Sequence, residues 1–158
     1  MTRKPHSQIR QGRSERGQSL VELALSLVVM LMLLTGAVEM GLALFQYVTM
    51  RDAAQEGALY GSISPDEVEE IKLRAQAAAG DVVSLDTGTL TDPTSGDIVI
   101  TYSGSHCEGL DSNSVPNSLT VTITFPHVVT MPLIGAWIGS TINLSASVTD
   151  TILTPACT

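Results

Sequence analysis

Three histidines, two cysteines and sixteen carboxylates are the residues of this 158-residue chain with chemistry to offer. Their spacing builds no reactive centre. His106 and Cys107 are adjacent, so in an extended segment they face opposite ways, and no third group is placed to orient them as a base–nucleophile pair. His6 lies in a basic N-terminal segment and His127 stands alone, so three imidazoles could share a metal only by meeting across a long apolar run. Asp92-Pro93-Thr94-Ser95-Gly96-Asp97 reads as a turn, because it lacks the alternating oxygen ligands of a calcium loop. There is no glycine-rich phosphate loop and no serine elbow. Asn143-Leu144-Ser145 fits a glycosylation sequon but falls inside a predicted strand. No catalytic residue, metal or cofactor is expected, and the chain does not read as an enzyme. A net charge of −8 also argues against a nucleic-acid partner, which needs a basic face.

The carboxylates matter through their position on an apolar element. Leu23 to Phe45 reads LALSLVVMLMLLTGAVEMGLALF, interrupted only by Glu39. As a helix it spans about 34 Å, enough to cross a hydrocarbon core of about 30 Å. Its apolar character on every face suits lipid better than the core of a small protein. Arg3, Lys4, Arg10, Arg13 and Arg16, five of the eight basic residues, precede it. Beyond Leu44, three basic residues stand against thirteen acidic ones, a local charge of −10. The positive-inside bias then gives a single-pass protein of the cytoplasmic membrane, N-terminus inside and acidic body outside. In that outer, oxidising compartment Cys107 and Cys157 can pair, closing a loop of about fifty residues for roughly 4 kcal/mol.

Arg16-Gly17-Gln18-Ser19-Leu20-Val21-Glu22 joins the basic segment to the apolar helix and looks like a type IV prepilin processing site. That resemblance implies a membrane peptidase cutting after Gly17 on the cytoplasmic side, leaving Gln18 as the N-terminus and Glu22 at the fifth position. A carboxylate inside a bilayer is costly unless paired, and the new ammonium lies one helical turn away. Glu22 of one subunit can neutralise the Gln18 amine of the next, which would fix axial register. A rival cut exists after Ala37, where Thr35 and Ala37 are the small residues that signal peptidase prefers; it would release a soluble protein. The apolar character, however, continues through Ala43, Leu44 and Phe45. Glu39, about 25 Å beyond Glu22 along the helix, falls near the outer interface; there it either snorkels to water or meets a partner in a heteromeric assembly.

From Gln46 the helical pattern continues without a breaker, predicting one helix from about Ser19 to Tyr60. Ala53, Ala54, Gly57, Ala58 and Gly61 form a stripe of small residues, suited to packing against the body or to a dimer seam. In order, Arg16-Gly17, Val21-Glu22, the leucine-rich run, Gly36-Ala37-Val38-Glu39-Met40-Gly41 and Asp52-Ala53-Ala54-Gln55-Glu56-Gly57-Ala58-Leu59 resemble the signature of TadE-like proteins. These are the pseudopilins of tight-adherence (Tad/Flp) pilus systems. Gln55 and Leu59 stand where that family usually has arginine. The resemblance implies a prepilin peptidase, a membrane assembly platform with its ATPase, a major pilin and a sibling pseudopilin as partners, besides the lipid bilayer.

Ser64-Pro65-Asp66-Glu67 spells a helix start, with Ser64 as N-cap, Pro65 at the first position and Glu67 closing a capping box. That helix should reach Ala79 and stop at Gly80. Its run of Asp66, Glu67, Glu69, Glu70, Lys72 and Arg74 reads as a solvated face, and residues 81–96 as loop or weak strand. Asp97–Tyr102, Ser118–Phe125 and Thr141–Ile152 alternate apolar and polar residues, predicting three strands. The loop 103–117 holds Cys107, and the third strand returns Cys157 toward it. Thr130 to Gly139 is an apolar segment, either a short helix covering the core or an exposed lip that docks a neighbour or the membrane surface. TadE-like proteins often show a similar apolar turn before a strand carrying Ser-Ala-Ser, here Ser145-Ala146-Ser147.

The expected fold is α+β, a long N-terminal transmembrane helix projecting into a small antiparallel-sheet, pilin-like body. Residues 1–17 form a basic cytoplasmic leader, 18–62 the transmembrane and projecting helix, and 63–158 the extracytoplasmic body. The expected function is that of a minor pilin or pseudopilin in assembly of a Tad-type, type IV-like pilus for adhesion or secretion. Gly17 and Gln18 are its processing residues, Glu22 and Glu39 its assembly residues. The alternative is a single-pass or secreted extracellular binding module unrelated to pili.

Overall fold

A computed structural model describes residues 14–105, 116–131, 135–136 and 139–154, with side chains from residue 17 onward. In chain order these form α1 (Ser14–Ile63), α2 (Val68–Ala79), β1 (Ile98–Ser103), β2 (Ser118–Val128) and β3 (Thr141–Thr151). The architecture is α+β, as expected. The chain divides into two compact units, residues 1–38 and 39–158. His6, His106, Cys107 and Cys157 lie outside the described residues, as do Pro132–Ile134 and Trp137–Ile138 of the apolar segment. The disulfide expectation therefore falls there too.

The described part of the first unit is helix, and its leucines, valines and methionines are exposed. Among the described residues, α1 is the one helix long and apolar enough to cross a membrane. Two of its hydroxyls are closed on the helix itself. Ser26 Oγ donates to the Glu22 carbonyl at 2.8 Å and Thr35 Oγ1 to the Leu31 carbonyl at 2.7 Å. Such bonds one turn back leave no donor to be satisfied by water.

In the second unit the three strands form an antiparallel sheet in the order β1-β2-β3. The period-two pattern becomes burial: Leu119, Val121 and Ile123 of β2 are buried, and Ile98 and Ile100 of β1 join them in the core. The opposite face is a hydroxyl ladder. Thr120 and Thr149, directly opposed, lie 2.8 Å apart at their oxygens, and Thr122 and Ser147 lie 3.1 Å apart. The core face packs on α1 through the small-residue stripe. A Cβ at Gly57 would lie 3.2 Å from Ala75 Cβ and 3.6 Å from Val121, and one at Gly61 would lie 2.9 Å from both Leu119 methyls. The stripe is thus occupied by this chain's own α2 and β2, which decides for packing against the body over a dimer seam.

Two expectations about α2 are corrected. The helix begins at Val68, three residues after Pro65, with Glu67 at the N-cap and no side-chain cap bond. The capping box is not made because its parts are engaged elsewhere. Ser64 N donates back to the Tyr60 carbonyl at 2.9 Å, and the Glu67 carboxylate accepts the Tyr60 hydroxyl. The C-terminal end is as predicted, at Ala79 before a left-handed Gly80.

Lys72 is the second correction, for it is fully buried rather than part of a solvated face. Its ammonium donates to the carbonyls of Asp92 and Ser95 at 2.6 and 2.7 Å, and more weakly to Thr87 and Thr89 at 3.1 and 3.3 Å. The segment from Asp86 to Asp97 wraps around it. Asp97 N donates to the Asp86 carbonyl at 2.7 Å, while Asp86 N donates to the Asp97 carboxylate at 2.9 Å. Within the wrap, Asp92 Oδ1 accepts both the amide and the hydroxyl of Thr94 at 2.8 Å, the side-chain turn its sequence predicts. Burial pushes the Lys72 ammonium below its ordinary 10.5, against the opposing pull of Asp92 and Asp86.

Candidate functional site

One face of α1 carries Glu39, Ala43, Gln46, Met50, Ala53 and Gly57, spaced alternately by four and three residues. These are among the half-buried and buried positions of the helix in the second unit. β2 runs back along this face. Leu119 meets Gly61, Val121 meets Gly57, His127 meets Gln46, and Thr130 beyond the strand end reaches Glu39.

At that end four polar residues converge. Thr130 N donates to Glu39 Oε1 at 3.0 Å, and Thr130 Oγ1 donates to Glu39 Oε2. His127 is buried; its Nδ1 lies 2.6 Å from Gln46 Oε1, and its Nε2 lies 3.3 Å from Glu39 Oε1. With the Gln46 oxygen as acceptor, the proton sits on Nδ1. Nε2 is within ion-pair reach of the carboxylate but not aligned for a hydrogen bond, so it is the buried nitrogen without a hydrogen-bond partner. The cluster is a clasp between helix and sheet, and it supplies Glu39 with partners from its own chain.

His127 therefore does not stand alone, contrary to the sequence reading. Its signal was parity: it continues the inward series Leu119, Val121, Ile123 and Phe125. Of the other predicted residues, Gly17, Gln18 and Glu22 occupy exposed positions of α1 in the first unit, with open space around Gly17. Glu22 is exposed among apolar side chains. Such a carboxylate gains most from a partner supplied by another molecule.

Residues 17–59 match the family model described as TadE-like protein. Over this stretch the chain is similar to TadE-like proteins. The matched stretch begins at Gly17, takes in Glu22 and Glu39, and ends within the small-residue stripe at Leu59. The match falls within α1, which among the described residues is the helix long and apolar enough to cross a membrane. No curated protein and no solved structure matches the chain.

Proposed function

We propose that this chain is a membrane-anchored minor pilin or pseudopilin that takes part in assembling a Tad-type, type IV-like pilus for adhesion or secretion. The observation that carries the reading is the TadE-like match over residues 17–59, which starts at the glycine joining a basic segment to the apolar helix. In this reading the leader stays in the cytoplasm and a prepilin peptidase removes residues 1–17. The protein then waits in the cytoplasmic membrane with its acidic body outside. Glu22, held among lipid-facing side chains, attracts the Gln18 ammonium of a neighbouring subunit during stacking. The assembly platform and the other pilus subunits are its partners, and its work is structural rather than enzymatic.

The supporting experiment substitutes Glu22→Ala in the native host. Loss of the subunit from sheared or cross-linked pilus assemblies, with membrane insertion unchanged, is the expected result. Unimpaired assembly would count against the reading, since a plain anchor tolerates the change.

A further inference from the structure

The sheet of the second unit has two outer edges, and the chain treats them differently. Thr124 N donates to the Asp97 carbonyl at 2.9 Å, so in this register Ile98, Ile100 and Tyr102 of β1 turn their backbone groups away from β2. The wrap covers that edge, for Ile100 N donates to the Pro93 carbonyl at 2.7 Å. The β3 edge has no such cover among the described residues. Ile152 N donates to the Asn117 carbonyl and Val129 N to the Ser140 carbonyl, both at 2.9 Å, and the register between them runs one to one. The even-numbered residues of β3 therefore turn their N–H and C=O groups to β2, while Thr141, Asn143, Ser145, Ser147, Thr149 and Thr151 turn theirs outward. Donors and acceptors thus alternate along an edge of about 34 Å. Native sheets blunt such an edge with lysine, proline or a bulge. β3 reads TINLSASVTDT and has none of these; its one charged residue is Asp150.

We infer that the β3 edge receives a β-strand from another subunit of the pilus assembly, which joins the sheet as a fourth strand. Extended backbone is the chemistry that answers a row of donors and acceptors at strand spacing. The side chains specify the strand further. On the core side Ala146 is buried and Leu144 and Val148 are half-buried, so an incoming strand meets apolar neighbours there. On the other side Ser145, Ser147 and Thr149 are exposed and extend the hydroxyl ladder. The occupant is therefore a strand that alternates apolar residues with hydroxyl or amide ones, as β2 and β3 do themselves. Charge separates it from a second copy. Beyond Leu44 this chain carries −10, so a second copy would bring a like-charged body to the edge, and a less acidic subunit would not. With one carboxylate in eleven residues, β3 is where the acidic body opposes an approaching strand least.

This inference rests on the assembly reading, and the test separates the two. Hydrogen exchange at single-residue resolution compares the full chain in sheared pilus assemblies with the same chain purified in detergent. In detergent the outward amides of Asn143, Ser145, Ser147 and Thr149 should exchange freely, while those of Leu144, Ala146 and Val148, turned to β2, stay protected. In the assemblies the four outward amides should slow by roughly 100-fold. Equal exchange of those four amides in both states would overturn the inference and leave the assembly reading standing. Protection already present in detergent and lost on dilution would overturn it too, because the occupant would then be a second copy. Absence of the chain from the assemblies would remove the assembly reading itself, and this inference with it. Ser147→Pro deletes one outward N–H and none that faces β2, whereas Ser147→Val keeps it. The proline variant should enter assemblies about tenfold less than the valine variant, the effect of about one hydrogen bond. Equal entry of the two would overturn the inference, since the backbone donor would then play no part.

Discussion

Replacing Lys72 by methionine keeps the length of the side chain and removes the ammonium around which residues 86–97 fold. Three N–H groups serve four carbonyls, two of them at 2.6 and 2.7 Å and two beyond 3.0 Å. Hydrogen bonds from a charged donor contribute about 1.5–3 kcal/mol each, and burying the ion takes back several kcal/mol of that. The carbonyls freed by Lys72→Met belong to a surface segment and can be rehydrated, so their loss is only partial. Weighing these, the wrap should open more easily by about 3 kcal/mol, a factor of roughly 100 in its opening equilibrium. Hydrogen exchange followed by mass spectrometry on the full chain in detergent reads this directly. The amides of Asp86, Gly88, Thr89 and Asp97, all bonded within the wrap, should lose protection by that factor. The β2–β3 ladder should keep its own protection. Unchanged exchange at those four amides would refute the idea that the buried ammonium organises the segment.

Gly61→Leu forces a branched side chain where even a Cβ sits 2.9 Å from both Leu119 methyls, so overpacking should destabilise the body by about 1–3 kcal/mol, read as a lower thermal midpoint in detergent. Asp92 is held below its ordinary 3.8 first by the backbone and hydroxyl bonds from Thr94, then by the nearby Lys72 charge. The unfolded chain therefore takes up this proton before the folded one, and the stabilisation present above pH 3.8 is lost as pH falls through the folded value. Asp92→Asn should accordingly flatten the acid limb of the stability curve below that pH, whereas an unaltered limb would contradict the sign. Gln46→Leu strands the buried His127 Nδ1 and should cost about 1–3 kcal/mol, with exchange rising at Val129 and Thr130.

What could be read from the sequence followed from period. The strands announced themselves because Leu119, Val121 and Ile123 alternate with threonines, and the sheet needs no other information to choose its buried face. The long helix was legible because nothing in it breaks the pattern before Ile63. Lys72 was misread because its neighbours in sequence are acidic, and a charge run suggests solvent. Its register shows otherwise: Ile71, Lys72, Ala75 and Ala79 are the buried positions of α2. The capping box failed for a similar reason, because Tyr60 competes for Glu67 through a contact no local pattern records. Glu39 had two readings from sequence, water or a foreign partner. The structure adds a third, because Thr130, ninety-one residues away in the chain, is brought to it by the length of β2.

In the proposed function the segment similar to TadE-like proteins is processed as a pilin and assembled. Intact mass and N-terminal sequencing of the protein isolated from its native membranes test it most directly. A chain beginning at Gln18, lighter by the residues from Met1 to Gly17, is expected. A chain beginning at Val38 would contradict it and leave a secreted binding module, and an intact Met1 in a host with an active prepilin peptidase would leave a plain anchor.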